Sequence, residues 1–160
     1  MAVRIGALSD STAVARKVGA VHRVLVAAPA YLAQVETPLT PSDLLGHTLI
    51  IGPAGRSSEG WSFRKGGKTT SVRVQGRLVI DAAEAATAAA IAGLGVLSTG
   101  QGGVQAELEA GSLVRLLPDW EIGTSDINLI LPAGRAARAS ARAFADFIAA
   151  QLREIKATVP

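Results

Sequence analysis

Short runs in which apolar and polar residues alternate, or in which β-branched residues cluster, predict a series of strands along the chain. Residues 21–28 form a valine-rich run that ends at Pro29, as a strand commonly does. From residue 72 to residue 80, apolar residues alternate with arginine and glutamine, which indicates a strand with one buried face. The other predicted strands are residues 3–5, 48–51, 96–97, 113–117 and 127–131, and a strand with Trp61 and Phe63 that precedes a turn at Gly66 and Gly67.

Helices are predicted where capping residues open a helical pattern. Thr40 can cap a short helix that has Pro41 in its first turn and ends at Gly46. Asp81 and Glu84 have the spacing of a capping box, and the alanine-rich helix after them is expected to stop at Gly93. Two further helices are predicted at residues 103–110 and at about residues 136–153. Because strands and helices alternate, the predicted fold class is α/β.

The last predicted helix is amphipathic. At about 100° per residue, the charged side chains share one face and the apolar side chains share the other. The charged face comprises Arg135, Arg138, Arg142, Asp146 and Arg153, and the apolar face comprises Ala141, Phe144, Phe147 and Ile148. We expect the apolar face to be packed and the arginine stripe to be solvated.

The composition fits one folded domain, or two small lobes with a common core. The 160 residues are 49 % hydrophobic and 18 % charged, which excludes a disordered chain. The absence of cysteine excludes disulfides, thiolate metal sites and a cysteine nucleophile. His22 and His47 are the only histidines, so a histidine-based zinc site would need carboxylates to complete it. Since no apolar run reaches the roughly 18–20 residues of a membrane span, we expect a soluble cytoplasmic protein.

The charge and the glycine-rich segments do not point to a nucleotide or nucleic-acid site. The net charge is +3 and the pI is near 9.8, but the arginines are spread along the chain rather than clustered with aromatic residues. Residues 62–69 imitate a phosphate-binding loop, yet a strand follows them where that motif requires a helix. Residues 93–95 imitate a dinucleotide fingerprint, but they follow a helix and precede a strand, which is the reverse order. No nucleophile and base are suitably spaced, so an enzyme is not expected.

A set of short motifs occurs in a characteristic order along nearly the whole chain. They are "AVRIGALSDSTAVARKVGAVHRVLVAAPAYLA" (residues 2–33), "TPLTPSDLLGHTLI" (37–50), "GWSFRKGG" (60–67), "VRVQGRLVIDAAEAATAAAIAGLGVL" (72–97), "LEAGSLVRLLPDW" (108–120) and "ARAFADFI" (141–148). Each motif is weak by itself. The ordered set resembles the effector-binding domain of LysR-type transcriptional regulators.

The resemblance implies two α/β lobes, similar to type II periplasmic binding proteins, joined by two crossing strands. Residues 1–27 would be a remnant of lobe I and the first crossover strand, residues 28–126 would be lobe II, and residues 127–160 would be the return crossover strand and the C-terminal helix of lobe I. Members of the family carry a helix-turn-helix, a linker helix and the first part of lobe I before the point that matches Met1. The chain is therefore expected to be N-terminally truncated, and to reach DNA only through the missing helix-turn-helix of a full-length regulator.

In this family a small organic effector binds between the lobes, and the resemblance implies that loops at the strand ends line the site. The implied effector-binding residues are Gly6, Ala7 and Leu8 in lobe I, and Pro53, Ala54, Trp61, Asp81, Ala82, Ser98 and Thr99 in lobe II. Backbone N–H groups of the helix after Asp81 could hold an effector carboxylate, although the Asp81 side chain opposes that charge. No catalytic residue, metal or cofactor is implied.

The expected function is therefore sensing of a small organic effector within a LysR-type regulator that forms a homo-oligomer. The alternative is an interaction module, or a fragment that does not sense, that associates with itself or with a full-length regulator. Missing parts of lobe I would expose apolar sheet surface and an open sheet edge, which favours association. An enzyme is a third and weaker hypothesis.

Overall fold

A computed structural model describes residues 2–5, 14–53, 60–131 and 139–158 of the chain. In these residues strands and helices alternate, which confirms the predicted α/β class. The chain divides into two compact units. Unit 1 contains Met1–Val21 and Ser125–Pro160, and unit 2 contains His22–Thr124. The long strand β2 (Val14–Ala27) contributes its beginning to unit 1 and its remainder to unit 2.

The central sheet of unit 2 is mixed. Its strands are β2, β3 (Leu49–Ile51), β6 (Leu78–Val79), β7 (Val96–Gly100) and β8 (Val114–Leu116). β7, β3 and β6 lie side by side and are parallel, whereas β2 runs antiparallel to β7 on one side and to β8 on the other. The helices of this unit are α1 (Pro29–Leu32), α2 (Ala83–Ile91) and α3 (Gln105–Glu109), and a 3-10 helix spans Pro41–Gly46.

A two-stranded hairpin covers one face of this sheet. It consists of β4 (Gly60–Lys65) and β5 (Lys68–Arg73), paired antiparallel in register from Gly60 opposite Arg73 to Lys65 opposite Lys68. Gly66 and Gly67 form the turn with φ values of 56° and 78°, as the left-handed conformation of a tight hairpin requires. The predicted turn is therefore confirmed. The hairpin buries Trp61, Phe63 and Val72 in the same apolar cluster as Leu25.

The alternation of side chains along β2 separates two apolar clusters in unit 2. Leu25 and Ala27 belong to the cluster under the hairpin, whereas Val24 and Val26 belong to the cluster that packs against α2. Successive residues of a strand point to opposite faces of the sheet, so a continuous apolar run is buried on both faces. The run "VLVAA" after Arg23 is fully buried for this reason.

Unit 1 contains β1 (Ala2–Ile5), β9 (Thr124–Leu131), the first part of β2 and helix α4 (Ala139–Thr158). β9 pairs antiparallel with β1, with Ala2 opposite Ile130, and lies next to β2 in the sheet. The core of the unit is small and consists of Val18, Ile127, Leu129, Ala145 and Ala149. Two ion pairs lie on its surface, Arg16 with Asp146 at 2.7 Å and Lys17 with Asp126 at 2.6 Å.

Several predicted boundaries were wrong. β2 begins at Val14 rather than at residue 21, and residues 72–80 do not form one strand, since β5 ends at Arg73 and β6 begins at Leu78. Gly76 lies in the break, where an added Cβ would be 2.1 Å from Cγ1 of Ile51. Residues 103–110 are split into a 3-10 turn, Gln101–Val104, and the short helix α3.

The predicted capping box at Asp81 was wrong as well. Helix α2 begins at Ala83, and its N-cap is Ala82. Asp81 therefore lies one residue too early to cap the first turn. A capping arrangement does exist at the 3-10 helix, where the N-cap is Thr40 as predicted, and where Asp43 Oδ2 accepts the backbone N–H groups of Leu39 and Thr40 at 2.9 and 2.8 Å.

Helix α4 spans Ala139–Thr158, and the predicted start at about residue 136 lies outside the described residues. The buried side of the helix differs from the predicted apolar face. Ala145 and Ala149 are buried in the core of unit 1, with Ile148 and Leu152 partly buried beside them. Phe144 and Phe147 are exposed, the latter by 58 %. The small alanine side chains let the helix approach the sheet closely, and the phenylalanines lie outside that contact.

Candidate functional site

The candidate site lies at one edge of the unit 2 sheet, where the parallel strands end. Thr99 and Gly100 are the last residues of β7, Pro53 follows β3, and Asp81 follows β6. Ile51 pairs with both Ser98 and Val79, which aligns these three strand ends. In open α/β sheets, ligands bind in the crevice outside the carboxyl ends of parallel strands.

Arg23 reaches the same edge from β2. Because β2 is antiparallel to β7, Arg23 pairs with Gly100, and Leu25 pairs with Ser98. Gly100 has no side chain, so the Arg23 side chain can extend along the sheet towards Ser98. Its Nη2 atom donates a hydrogen bond to Ser98 Oγ at 2.6 Å. Ser98 is 1 % exposed, so this contact fixes the guanidinium against a buried strand.

Trp61 supports the guanidinium from the hairpin. The guanidinium carbon of Arg23 lies 5.8 Å from the centroid of the Trp61 ring, which is within the range of a cation–π contact. Trp61 is 1 % exposed and belongs to the apolar cluster beneath the hairpin. We name the three residues Arg23, Ser98 and Trp61 the arginine cluster.

The arginine cluster contains a positive charge without a described counter-ion. The ion pairs among the described residues join Arg16 to Asp146, Lys17 to Asp126, Arg64 to Glu121 and Lys65 to Asp119. None of them includes Arg23. Burial lowers the pKa of Arg23, but a guanidinium remains protonated at neutral pH. The cation is thus held partly desolvated, which is costly unless an anion approaches it.

Two buried donors of the cluster have no acceptor among the described residues. They are Arg23 Nε and Trp61 Nε1. A buried donor that is left unpaired costs about 1–3 kcal/mol, and more when it is charged. Both atoms are inaccessible to solvent, so the charge of the guanidinium, rather than these two donors, is what favours a ligand with negative charge.

The structure places six of the predicted site residues. Trp61 and Ser98 both contact Arg23, and Thr99 is the neighbour of Ser98 on β7. Pro53 is half-buried after β3, whereas Asp81 and Ala82 are exposed before α2. Gly6, Ala7, Leu8 and Ala54 lie outside the residues that the structure describes.

Arg23 was missed in the sequence, although a signal was present. It is the charged residue directly before the apolar run "VLVAA". An arginine directly before a run that is buried on both faces lies where the burial of the strand begins. Its partners, Gly100 and Ser98, are distant in sequence and could not be assigned without the strand register.

A second polar feature of unit 2 lies around His47. The Tyr31 hydroxyl is 3.1 Å from His47 Nδ1 and accepts the backbone N–H of Thr48 at 3.0 Å. Beside them is a cavity of about 340 Å³, with Glu36, Asp43 and His47 among its lining residues. Burial lowers the pKa of His47, while the Asp43 carboxylate acts in the opposite direction. This feature shares no residue with the arginine cluster.

The described ranges contain neither a metal-ligand cluster nor a membrane-spanning helix. No group of three or more histidine, aspartate or glutamate side chains within them is arranged to hold a metal ion. None of the helices in these ranges is long and apolar enough to cross a membrane.

Sequence relatives of the chain are transcriptional regulators, not enzymes. An HTH-type transcriptional regulator of Xanthomonas campestris is 30 % identical over 156 residues, which is 95 % of this chain and 45 % of that protein. The HTH-type transcriptional regulator PtxR of Pseudomonas aeruginosa is 34 % identical over 149 residues, covering 90 % of this chain and 46 % of that protein. The chain thus spans about half the length of these relatives.

Solved structures with the same fold are regulatory domains. The match to the regulatory domain of AphB in Vibrio vulnificus covers 93 % of this chain and 73 % of that chain, with a TM-score of 0.68 and 30 % identity. The regulatory domain of CrgA from Neisseria meningitidis matches 94 % of this chain and 74 % of its own, with a TM-score of 0.71. Its identity of 23 % supports a common fold only.

The family comparison covers almost the whole chain. The LysR substrate binding domain matches residues 1–153. The fold is accordingly the periplasmic-binding-protein-like fold of LysR regulatory domains, as predicted. On this evidence the chain belongs to the LysR family of transcriptional regulators, as its substrate-binding regulatory domain.

Proposed function

We propose that the chain is the ligand-sensing domain of a LysR-type regulator and that its effector is a small organic molecule. The observation that carries the proposal is the arginine cluster at the carboxyl edge of the unit 2 sheet. A sensor needs a site whose ligand binds one conformational state of the protein better than another. It needs no catalytic group. The cluster offers a partly buried positive charge to a ligand, and the family membership supplies the regulatory context.

We further propose that unit 1 corresponds to lobe I and unit 2 to lobe II, with residues 22–27 of the first crossover strand lying in unit 2. The predicted boundaries, residues 1–27, 28–126 and 127–160, remain part of this proposal. So do the effector contacts predicted at Gly6, Ala7, Leu8 and Ala54, and at Pro53, Asp81, Ala82 and Thr99. DNA recognition would reside in the helix-turn-helix of a full-length regulator, acting in the cytoplasm.

The first experiment is a thermal melt of the purified chain with a panel of small carboxylates, aromatic acids and matched neutral compounds. A ligand at about 100 times its dissociation constant adds about 2.7 kcal/mol of stability, which raises Tm by roughly 5–10 °C in a domain of this size. We expect one chemical class to give a saturable shift. A cooperative melt that no class of compound shifts would contradict retained sensing.

Self-association is a second candidate role, because unit 1 exposes apolar residues. β1 is the edge strand of its sheet among the described residues, and Val3 and Ile5 on it are 54 % and 46 % exposed. Such an edge can pair with another chain. We expect light scattering to give a dimer that Ile5→Lys weakens. The control Leu39→Lys changes an exposed residue of unit 2 and should leave the dimer intact. A monomer at all concentrations would exclude this role.

A further inference from the structure

We propose that Arg23 binds the anionic group of the effector, and that this group is a carboxylate. The inference rests on the proposed sensing function and names the ligand chemistry of the same site. It concerns Arg23, which the family resemblance did not single out.

The site carries a partly buried positive charge. Arg23 is half-buried, and no described residue forms an ion pair with it, in contrast to the four ion pairs of more exposed residues. Burial lowers the pKa of its guanidinium, and the described part of the chain provides no carboxylate that compensates for this desolvation. An incoming anion would relieve this cost, whereas a neutral ligand would not.

The guanidinium of Arg23 is held in a fixed position. The Ser98 hydroxyl holds Nη2, and the Trp61 ring lies against the guanidinium. Both partners are buried in unit 2, so the guanidinium is fixed before a ligand arrives. A fixed planar guanidinium matches the two oxygens of a carboxylate, and preorganisation lowers the entropic cost of binding.

Two other carboxylates lie near this edge among the described residues. Asp81 follows β6 at the same edge, but it is exposed and has an interaction of its own. Glu84 lies in the first turn of α2 and is also exposed. Within the described ranges, neither of them forms an ion pair with Arg23.

The two tryptophans provide the readout. Trp61 lies against Arg23, whereas Trp120 lies against Lys65, with Nζ 5.6 Å from its ring centroid. In ¹⁵N-labelled protein, each indole N–H gives one resonance. We would titrate the chain with acetate and benzoate, and with benzamide as the neutral counterpart of benzoate, at constant ionic strength. We expect the carboxylates to shift the Trp61 resonance saturably, with little change at Trp120 and little effect of benzamide.

Variants assign the effect to Arg23. Arg23→Gln removes the charge and should weaken carboxylate binding by about 10- to 100-fold, the loss expected for a charge-assisted hydrogen bond. Arg23→Lys keeps the charge but loses the planar guanidinium. Its affinity for the carboxylates should therefore lie between those of the unmodified chain and Arg23→Gln. Arg115→Gln removes an exposed arginine from β8 of the same sheet and should bind as the unmodified chain does. A cooperative melt of each variant establishes that it is folded.

Two results would overturn the inference. One is the absence of any saturable Trp61 shift with either carboxylate, and the other is undiminished binding by folded Arg23→Gln. If a neutral compound stabilises the chain and Arg23→Gln equally in the thermal melts, the sensing function stands and only the role of Arg23 fails. If no compound of the panel binds at all, both proposals fail together.

Discussion

The hydroxyl oxygen of Tyr31 lies 3.1 Å from Nδ1 of His47 and also accepts the backbone N–H of Thr48 at 3.0 Å. The tautomer of His47 decides which of the two groups donates in the first contact. Burial lowers the pKa of His47, which favours the neutral imidazole. The three residues join the end of the 3-10 helix to β3 and to α1.

This arrangement predicts that stability falls as the pH drops below the ordinary pKa of histidine. Burial lowers the pKa of His47 in the folded chain below its usual 6.5, so the unfolded chain binds more protons in that window. The contribution of His47 is therefore complete above pH 6.5 and is lost as the pH falls towards the folded pKa. Between about pH 7.5 and about pH 5.5, the free energy of unfolding measured in urea should fall less for His47→Gln than for the unmodified chain.

His22 provides the control for this measurement. It is the other histidine and is exposed on β2, so His22→Gln should keep the pH dependence of the unmodified chain. The pKa of Asp43 is also lowered, because the backbone N–H groups of Thr40 and Leu39 bind its carboxylate. That contribution is present above the usual pKa of 3.8 and is lost only below it, outside the window of the experiment. Equal pH dependence in His47→Gln and the unmodified chain would contradict the assignment.

The Tyr31 hydroxyl should stabilise unit 2 directly. Tyr31→Phe keeps the ring but leaves the Thr48 N–H and His47 Nδ1 without this partner. Leaving partly buried groups unpaired should lower the free energy of unfolding by about 1–3 kcal/mol. Ser62→Ala removes the hydroxyl from an exposed pair with Ser71 and should change stability by less than about 0.5 kcal/mol. Equal effects of the two substitutions in urea unfolding would show that the Tyr31 hydrogen bonds are not formed.

Gly76 should be intolerant of a side chain. Its added Cβ would lie 2.1 Å from Cγ1 of Ile51, a buried residue of β3. Overpacking of this kind costs about 1–3 kcal/mol, so Gly76→Ala should lower Tm. Gly102→Ala is the control, because nothing lies within 4 Å of the position of its Cβ. In a double-mutant cycle, Ile51→Ala should cost less in the Gly76→Ala background than alone, and purely additive effects would contradict the clash.

Much of the fold could be predicted from local patterns, because those patterns reflect local forces. The apolar run before Pro29 and the Gly66–Gly67 turn are set by burial and by backbone sterics within a few residues. The break at Gly76 could not be predicted, since β5 pairs with β4 whereas β6 pairs with β3, and those pairings are not visible in the local pattern. Gly76 also packs closely against Ile51, a residue of another strand.

The candidate site was predictable only in part for the same reason. Pro53, Asp81 and Thr99 were named because the family resemblance implies effector-binding loops there, and in the structure they lie at the carboxyl ends of parallel strands, where ligands bind in open α/β sheets. The contact of Arg23 with Ser98 depends on the register of β2 against β7, and the two residues are 75 positions apart in the sequence. Asp81 was predicted to cap α2 because its spacing to Glu84 is that of a capping box. The true N-cap is Ala82, one residue later.

The packing of helix α4 can be tested directly, since the sequence pattern and the structure place different residues on its packed face. The amphipathic pattern assigns Phe147 to the packed face, whereas in unit 1 Ala145 is fully buried and Phe147 is 58 % exposed. Ala145→Leu should therefore destabilise the chain by about 1–3 kcal/mol through overpacking. Phe147→Ala should change stability by less than about 0.5 kcal/mol, because an exposed site is involved and alanine favours the helix. Urea unfolding of both variants decides between the two faces. A loss of about 3–5 kcal/mol on Phe147→Ala, as for a buried phenylalanine, would mean that the predicted face is the packed one.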